Sequence, residues 1–471
     1  MTPGVIIRKQ KIKIRTSNEQ LALHVRKQLN DTLQYELIAL LDRIFTKYNS
    51  PDIYLNIDQL KIDLGSVSMQ EFEKHFLEFA EPKLENELKK NLEERNGAHG
   101  DNASDKSFSS PAQQEEDALF YFLKNGIYPW WYKKESLQTP AQLFDKLRQE
   151  EIQSLLLKII SAKRNQSDDV ANKIITRLFI HLPGTKSTDI IDNLLALYNN
   201  NALNDNIKAI IKNSNELVKI FSISLKQFYE QLTLFLMFQN IQSEKNAIYN
   251  FILRLKNTFR TSSSPYPEQL AGELKKALEA VKEIHQSQNI DERKQENNQP
   301  REPNENEIYI SNAGLILLHP FLQSFFAEVG LLNEQNHFIS VTAQQKAAVL
   351  LYYLQCCDES YKEWEMTLNK IICGIAHDEV MPDDIVITEK EKEESKNLLQ
   401  AVANYWDALK GASIEALQNT FLLRDGKITW KEDYWLIQVE RSGVDILLER
   451  LPWSFATVKL PWLNSLIYTE W

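Results

Sequence analysis

Cys373 and His377 stand four residues apart in the stretch CGIAHDEVMPDD, with Asp378, Glu379, Asp383 and Asp384 close behind. A thiol, an imidazole and several carboxylates are the parts of a thiolate nucleophile or of a zinc site. The spacing argues against both. A closed zinc site needs further ligands at short separation, and a cysteine nucleophile needs a separate frame for its base. The stretch therefore reads as a buried Cys373 ending a helix at Gly374, followed by a solvated acidic loop. Adjacent Cys356 and Cys357 lack the two-residue separation of a redox pair and read as core and edge positions of one helix end. Asp58 and Asp63 could pose as paired carboxylates, but an odd separation along a strand points them to opposite faces. The phosphate-loop, dinucleotide, serine-hydrolase and zinc-protease signatures do not occur, and the eight histidines are scattered. The expectation is a protein that is not an enzyme, with no catalytic residue, no cofactor and no metal.

The elements that carry these residues follow from periodicity. From Lys9 the odd positions Lys9, Lys11, Lys13 and Arg15 are basic while Ile12 and Ile14 fall on the other face, which predicts a strand. Its lysines read as a solvated face or as a guard against edge pairing. TSNEQLALHVRKQLNDTLQYELIALLDRIFTKY then spaces its leucines three and four apart behind Ser17, predicting one long amphipathic helix. IYLNIDQLKIDLGS returns to alternation, with Ile53, Leu55 and Ile57 on one side and a slip to Leu60, Ile62 and Leu64 beyond Gln59. A second long helix runs from about Ser68 to Glu94.

The remaining chain alternates polar linkers with packed segments. Residues 95–114 are Gly-, Ser- and Asp-rich without period, and Ser110-Pro111 looks like a helix cap with proline in the first turn. Residues 115–285 read as helix after helix, broken at GIYPWW, HLPGTKST, NNNALND and TSSSPYPEQ, with no repeat at a fixed period. A second linker covers 286–306. Residues 307–471 hold seven of the nine tryptophans. There, Thr342 with Gln345 and Thr388 with Glu391 form capping boxes, the latter opening a solvated EKEKEES run suited to a helix start. His319-Pro320-Phe321 reads as a kinked turn seating Phe321, Phe325 and Phe326 in a core. FLLRDGKITW and YWLIQVE, joined through Lys431–Asp433, read as a β-hairpin. The expected fold class is mainly α with small β elements (α+β). It comprises an N-terminal β-α-β-α unit over 1–94, a linker over 95–114, a central helical region over 115–285, a linker over 286–306, and a Trp-rich α+β domain with a short hairpin over 307–471.

A net charge of −11 weighs against nucleic acid as a partner, because phosphate contacts need a basic surface, and only the run Arg8–Arg15 offers one. Three cysteines make no disulfide framework and suit a reducing compartment. MTPGVIIRKQKIKIR has no apolar stretch of the secretory kind. The most apolar window, GLILLHPFLQSFFAEVGLL, is interrupted by His319, Pro320, Gln323, Ser324 and Glu328, which favours a core helix pair over a membrane span. A soluble, cytoplasmic protein is expected.

The last segment, LLERLPWSFATVKLPWLNSLIYTEW, repeats Leu-Pro-Trp at Leu451-Pro452-Trp453 and Leu460-Pro461-Trp462 and closes on Trp471. Each proline holds the preceding leucine out of helical geometry and removes a backbone donor. Each tryptophan carries ~150–250 Å² of surface, about 4–6 kcal/mol of gross transfer energy. Rings of that size must be packed, on their own domain or on a partner.

VIIRKQKIKIRTSNEQLALHVRKQLN and YLNIDQLKIDLGSVSMQEFEKHF resemble the N-terminal signature of contractile injection system tape measure proteins, components of phage-tail-like particles. The resemblance returns in ISNAGLILLHPFLQSFFAEVGLL, EWEMTLNKIICGI, LLQAVANYWDAL, WLIQVERSGVDILLERLPW and LPWLNSLIYTEW, so that it covers the first ninety and the last hundred and sixty residues. It implies a structural component that templates or assembles an inner tube. The implied partners are tube, sheath or baseplate subunits, and self-association is compatible with it. Partner contacts are expected at Trp453, Trp462 and Trp471 with Pro452 and Pro461, and at Ile12, Ile14 and Leu64. The alternative is a non-enzymatic helical scaffold that binds partner proteins through its aromatic C-terminal domain.

Overall fold

The structure is a computed structural model that describes residues 19–28, 34–47, 54–55, 65, 77–78, 80–90, 108–109, 111–132, 138–165, 168–182, 186–198, 201–238, 247–259, 274–278 and 307–471. It is mainly helical and divides into two compact units, Met1–Asp117 and Ala118–Trp471.

In the first unit, α1 (Glu19–Gln28) and α2 (Gln34–Lys47) are followed by β1 (Tyr54–Leu55), α3 (80–90) and β2 (Phe108–Ser109). Leu37, Leu40, Leu41 and Ile44 of α2 and Ala80, Leu84 and Leu88 of α3 are buried at helical spacing, the apolar stripes of two amphipathic helices. Arg43 pairs with Glu81 at 2.8 Å, and Lys47 with Glu85, tying α2 to α3. The expected β-α-β-α arrangement is not borne out. The short strand β1 pairs antiparallel with β2, which lies inside the segment read as a linker. One apolar residue, Phe108, in an otherwise polar run leaves no period to detect. The predicted strand over Lys9–Arg15, the carboxylates Asp58 and Asp63, and Ile12, Ile14 and Leu64 lie outside the described residues.

The second unit begins with helices. They are α4 (Pro111–Asn125, which crosses the boundary between units), α5 (Pro140–Lys146), α6 (Gln149–Asn165), α7 (Asp168–His181), α8 (Ser187–Tyr198), α9 (Asn201–Lys212), α10 (Ser214–Phe221), α11 (Leu225–Phe238), α12 (Ala247–Thr258) and α13 (274–278). GIYPWW does end α4, through the left-handed Gly126 at φ +73°. Thr139 then caps α5 in a reciprocal box with Gln142, and Pro140 supplies the first turn. The inner faces of these helices, among them Phe122, Phe144, Ile174, Leu194, Leu232 and Phe251, form one apolar core.

Residues 307–471 form a second core around a sheet. The order is β3 (Ile308–Ile310), a 3₁₀ turn (Ala313–Leu318), α14 (His319–Glu328), α15 (Val341–Cys356), a 3₁₀ turn (Glu363–Glu365), α16 (Thr367–Ile372), α17 (Glu389–Tyr405), α18 (Ile414–Leu417), β4 (Gly426–Lys431), β5 (Tyr434–Val439), β6 (Thr457–Val458) and β7 (Leu466–Glu470). The predicted hairpin is present as β4 and β5, paired from Gly426↔Val439 to Lys431↔Tyr434. It is the middle of a five-stranded sheet of order β3-β4-β5-β7-β6, in which β5 and β7 run parallel. The edge strands are two and three residues long, too short to show alternation. Gly314 lets the first 3₁₀ turn lie against the π-turn Gln418–Leu422, since a Cβ there would sit 1.6 Å from the Phe421 carbonyl oxygen. Thr388 and Glu391 form the expected capping box. At α15 the cap is Ser340, not Thr342, with the Ser340 hydroxyl accepting from Ala343 N–H at 3.0 Å. Two hydroxyl residues in SVT left the start ambiguous by two residues. The window from Gly314 is core, as expected, and no helix among the described residues is long and apolar enough to cross a membrane.

Candidate functional site

Charged side chains bridge the two apolar cores of the second unit. On α7, Lys173, Arg177 and His181 are four residues apart, which sets them in one stripe along the helix. Facing them are Glu363, Asp378, Glu379 and Asp383 from the 307–471 segment. Glu363 is the centre. Its Oε1 accepts from Arg177 Nε at 3.1 Å and from Lys370 Nζ at 2.9 Å and lies 3.1 Å from Arg177 Nη2, while its Oε2 faces His181 Nε2 at 3.2 Å. Arg177 also donates to the Leu123 carbonyl at the end of α4 and to the Asp378 carbonyl at 2.7 Å. Lys370 donates a second bond to the Glu379 carbonyl at 2.7 Å. Arg177, Glu363 and Lys370 are 0%, 2% and 1% exposed, so three formal charges share a dry site.

Such a site is stable only when each charge is compensated. Burial pushes the Glu363 carboxyl up, but Arg177, Lys370 and His181 outweigh it and hold the group well below the carboxylate range. Burial lowers the Lys370 ammonium, and Glu363 offsets this only in part. Gly126 makes room: a Cβ there would meet Glu363 Oε1 at 3.0 Å, Arg177 Nη2 at 3.1 Å and Lys370 Nζ at 3.3 Å. The left-handed glycine that ends α4 thus also clears the ion cluster.

Around this centre lies a more exposed ring. Lys173 Nζ reaches Asp378 at 3.3 Å and Glu379 at 3.0 Å. Lys226, on α11, donates to Asp383 at 2.6 Å and to the Ile180 carbonyl at 2.6 Å. One aromatic anchor completes the junction. Trp364 sets its ring edge-on to Phe122 at 5.9 Å and to Tyr128 at 5.6 Å, with His181 at 6.2 Å. Tyr128 comes from the GIYPWW break, and its hydroxyl donates to the Gln138 carbonyl at 2.6 Å. The arrangement binds two parts of the chain to each other; its charges neutralise one another instead of facing a cavity. A separate shallow groove of about 600 Å³, lined in part by Phe120, Lys124, Leu157 and Lys158, contains none of the residues singled out from sequence.

The structure separates most of the chemistry suggested by sequence. Cys373 ends α16 with Gly374 at φ +74° after it, as expected, and burial pushes its thiol well up. His377 is buried beside Trp435, 6.2 Å between rings. Among the described residues no group of three or more His, Cys, Asp or Glu could hold a metal ion. The acidic loop is not simply solvated: Asp378 and Glu379 take up Lys173. Cys356 is half-buried and Cys357 exposed, in left-handed geometry at the end of α15. Sequence reasoning did not find Arg177, Glu363, Lys370 or Trp364: Arg177 falls inside a run read only as helix, and Glu363, Trp364 and Lys370 fall in a stretch with no motif of its own. The stripe of Lys173, Arg177 and His181 at four-residue spacing through an apolar pattern was the available signal.

The terminal tryptophans pack on their own domain. Trp453 Nε1 donates to the Leu317 carbonyl at 3.0 Å, and its ring meets Phe321 at 5.1 Å. Trp462 Nε1 donates to the Ile372 carbonyl at 2.8 Å, with its ring beside Phe326 and Phe338. Trp471 lies under the Arg424 guanidinium at 5.3 Å and beside Phe455. All three are half-buried, whereas Pro452 and Pro461 are exposed. Phe325 and Phe326 are core, and Phe321 is half-buried behind the turn at His319.

Comparison with known families finds one that spans this whole architecture: the family described as contractile injection system tape measure protein matches residues 5–471. No curated protein and no solved structure matches the chain.

Proposed function

Because the chain belongs to the contractile injection system tape measure protein family, we propose that it is a structural component acting with tube, sheath or baseplate subunits as a phage-tail-like particle is built. The extent of the match carries this reading, since it includes the central helices as well as both ends. The arrangement of the C-terminal domain supports it. Main-chain carbonyls hold the indoles of Trp453 and Trp462, and this presents Pro452 and Pro461 on an ordered surface suited to gripping a subunit.

The central helices bear on how length could be set. At about 1.5 Å per residue, ~170 residues of straight helix would reach some 250 Å. Helices of 7 to 17 residues folded onto one core supply no such rod. A fixed-size assembly piece, starting or capping the tube, therefore fits the packed form better than a rigid ruler. Deleting the gene should change particle number or length, and the protein should co-sediment with sheath and tube; normal particles in the deletion strain would overturn the reading. Removing α9 and α10 should leave tube length unchanged for a fixed-size piece and shorten it for a ruler.

An adaptor role is favoured by one feature. Tyr405 is 70% exposed beside Phe321, which in turn packs on Trp453, so an aromatic surface remains open. A full-length pull-down in cells lacking particles tests it: specific partners should be retained with Tyr405 and lost in Tyr405→Ser.

A further inference from the structure

The junction between the two cores is built unlike either core. Among the described residues, every Lys or Arg ion pair across it runs from a cation of the helical segment to an anion of the 307–471 segment: Lys173 to Asp378 and Glu379, Arg177 to Glu363, and Lys226 to Asp383, with the His181 imidazole also against Glu363. This segregation has a counterpart in the sequence. Residues 307–471 contain 24 acidic and 13 basic residues, so the whole net charge of −11 falls there, and the first 306 residues are balanced at 41 of each. Each core is otherwise closed, with its own buried Leu, Ile and Phe. A single tryptophan, Trp364, packs its ring into the opposing core. An interface of this composition, an aromatic anchor beside buried and rim ion pairs, is polar in the way that transient inter-domain contacts are.

We propose that this junction is a releasable latch, and that the chain has an unlatched form in which the helical segment and the Trp-rich domain stay folded but part. This rests on the assembly reading above and extends it, because parting supplies reach that the packed helices lack. By chain length alone, the 28 residues between positions 278 and 307 set an upper bound of roughly 95 Å on any separation. The rim is the sensitive part. Asp383 and Glu379 are 56% and 40% exposed at the side chain, where salt and mutation act, while the Glu363 centre supplies register.

The test uses the full-length protein and two charge states of the rim. Lys173→Glu with Lys226→Glu places like charges across the junction. It should raise the radius of gyration in X-ray scattering and split one calorimetric unfolding transition into two. Adding Glu379→Lys and Asp383→Lys exchanges the Lys173–Glu379 and Lys226–Asp383 pairs, with Asp378 kept, and should bring back the smaller radius and the single transition. A double variant that melts once, at lower temperature and with unchanged radius, would overturn the latch, as would a four-fold variant that stays extended. If the double variant does not fold, Lys226→Glu alone, at the most exposed pair, should still shift the radius upward, and no shift would count against the proposal. Co-sedimentation of the parent protein with particles is read separately, so that failure of the latch and failure of the assembly role are distinguishable.

Discussion

Glu363→Gln isolates the charge at the centre of the junction while keeping its shape. The carboxylate receives Arg177 and Lys370 within 3.1 Å, and all three side chains are almost fully buried. Removing the one anion leaves two cations in a dry site, and breaking a buried pair in this way costs about 3–5 kcal/mol. The amide keeps some hydrogen bonding to Arg177 but cannot supply the charge that offsets desolvation. Urea denaturation followed by circular dichroism should show the unfolding free energy falling by that amount. A companion variant separates charge from packing. Arg177→Met, Glu363→Leu and Lys370→Met together replace the ions with apolar groups of similar volume, and such exchanges are often neutral or stabilising by ~1–4 kcal/mol. The triple variant should therefore recover most of the loss, and should remain joined even when combined with Lys173→Glu and Lys226→Glu. If Glu363→Gln loses under ~1 kcal/mol, the cations have access to water and the argument from a dry junction fails.

The remaining expectations concern the tail, a glycine and acid. Trp453→Ala and Trp462→Ala each remove a half-buried ring and its bond to Leu317 or Ile372, and each should cost about 2–4 kcal/mol in the same urea assay; an unchanged midpoint would mean the rings serve a partner only. Gly314→Ala puts a Cβ 1.6 Å from the Phe421 oxygen and should cost more than ~3 kcal/mol or abolish soluble expression, whereas a stable variant would contradict the close approach. Burial lowers the imidazoles of His319 and His377 below 6.5, so the unfolded chain takes up their protons first, and stability should fall as pH drops below that value. Glu363 and Asp378, held below 4.5 and 3.8 against their burial by the cations around them, add a second loss at lower pH. A midpoint flat from about pH 7 to pH 5 would refute the first step, and one flat from there to about pH 2 would refute the second.

What the sequence disclosed depended on how local the cause was. The Thr388 box, the hairpin through Glu432-Asp433 and the break at Gly126 are each set by a few adjacent residues, and all are found where their chemistry places them. The parallel pairing of β5 with β7 joins residues about thirty apart through a tail whose prolines mask its alternation. The pairing of β1 with β2 crosses a longer gap still. The junction was the least legible part. Arg177 and Glu363 are 186 residues apart, and neither has a neighbour in sequence that requires the other. The acidic loop around Asp378 was noticed for its composition, but the lysine that answers it, Lys173, lies 205 residues away. Charge that looks solvated in one dimension is consumed by charge from another element.

The most direct measurement is electron microscopy of particles purified from cells with this chain and from cells without it. Loss of the chain should change the number or length of the tubes, and a tagged copy should co-purify with them. Particles of normal length and yield without the chain, together with a tagged copy found only in the unassembled fraction, would contradict it.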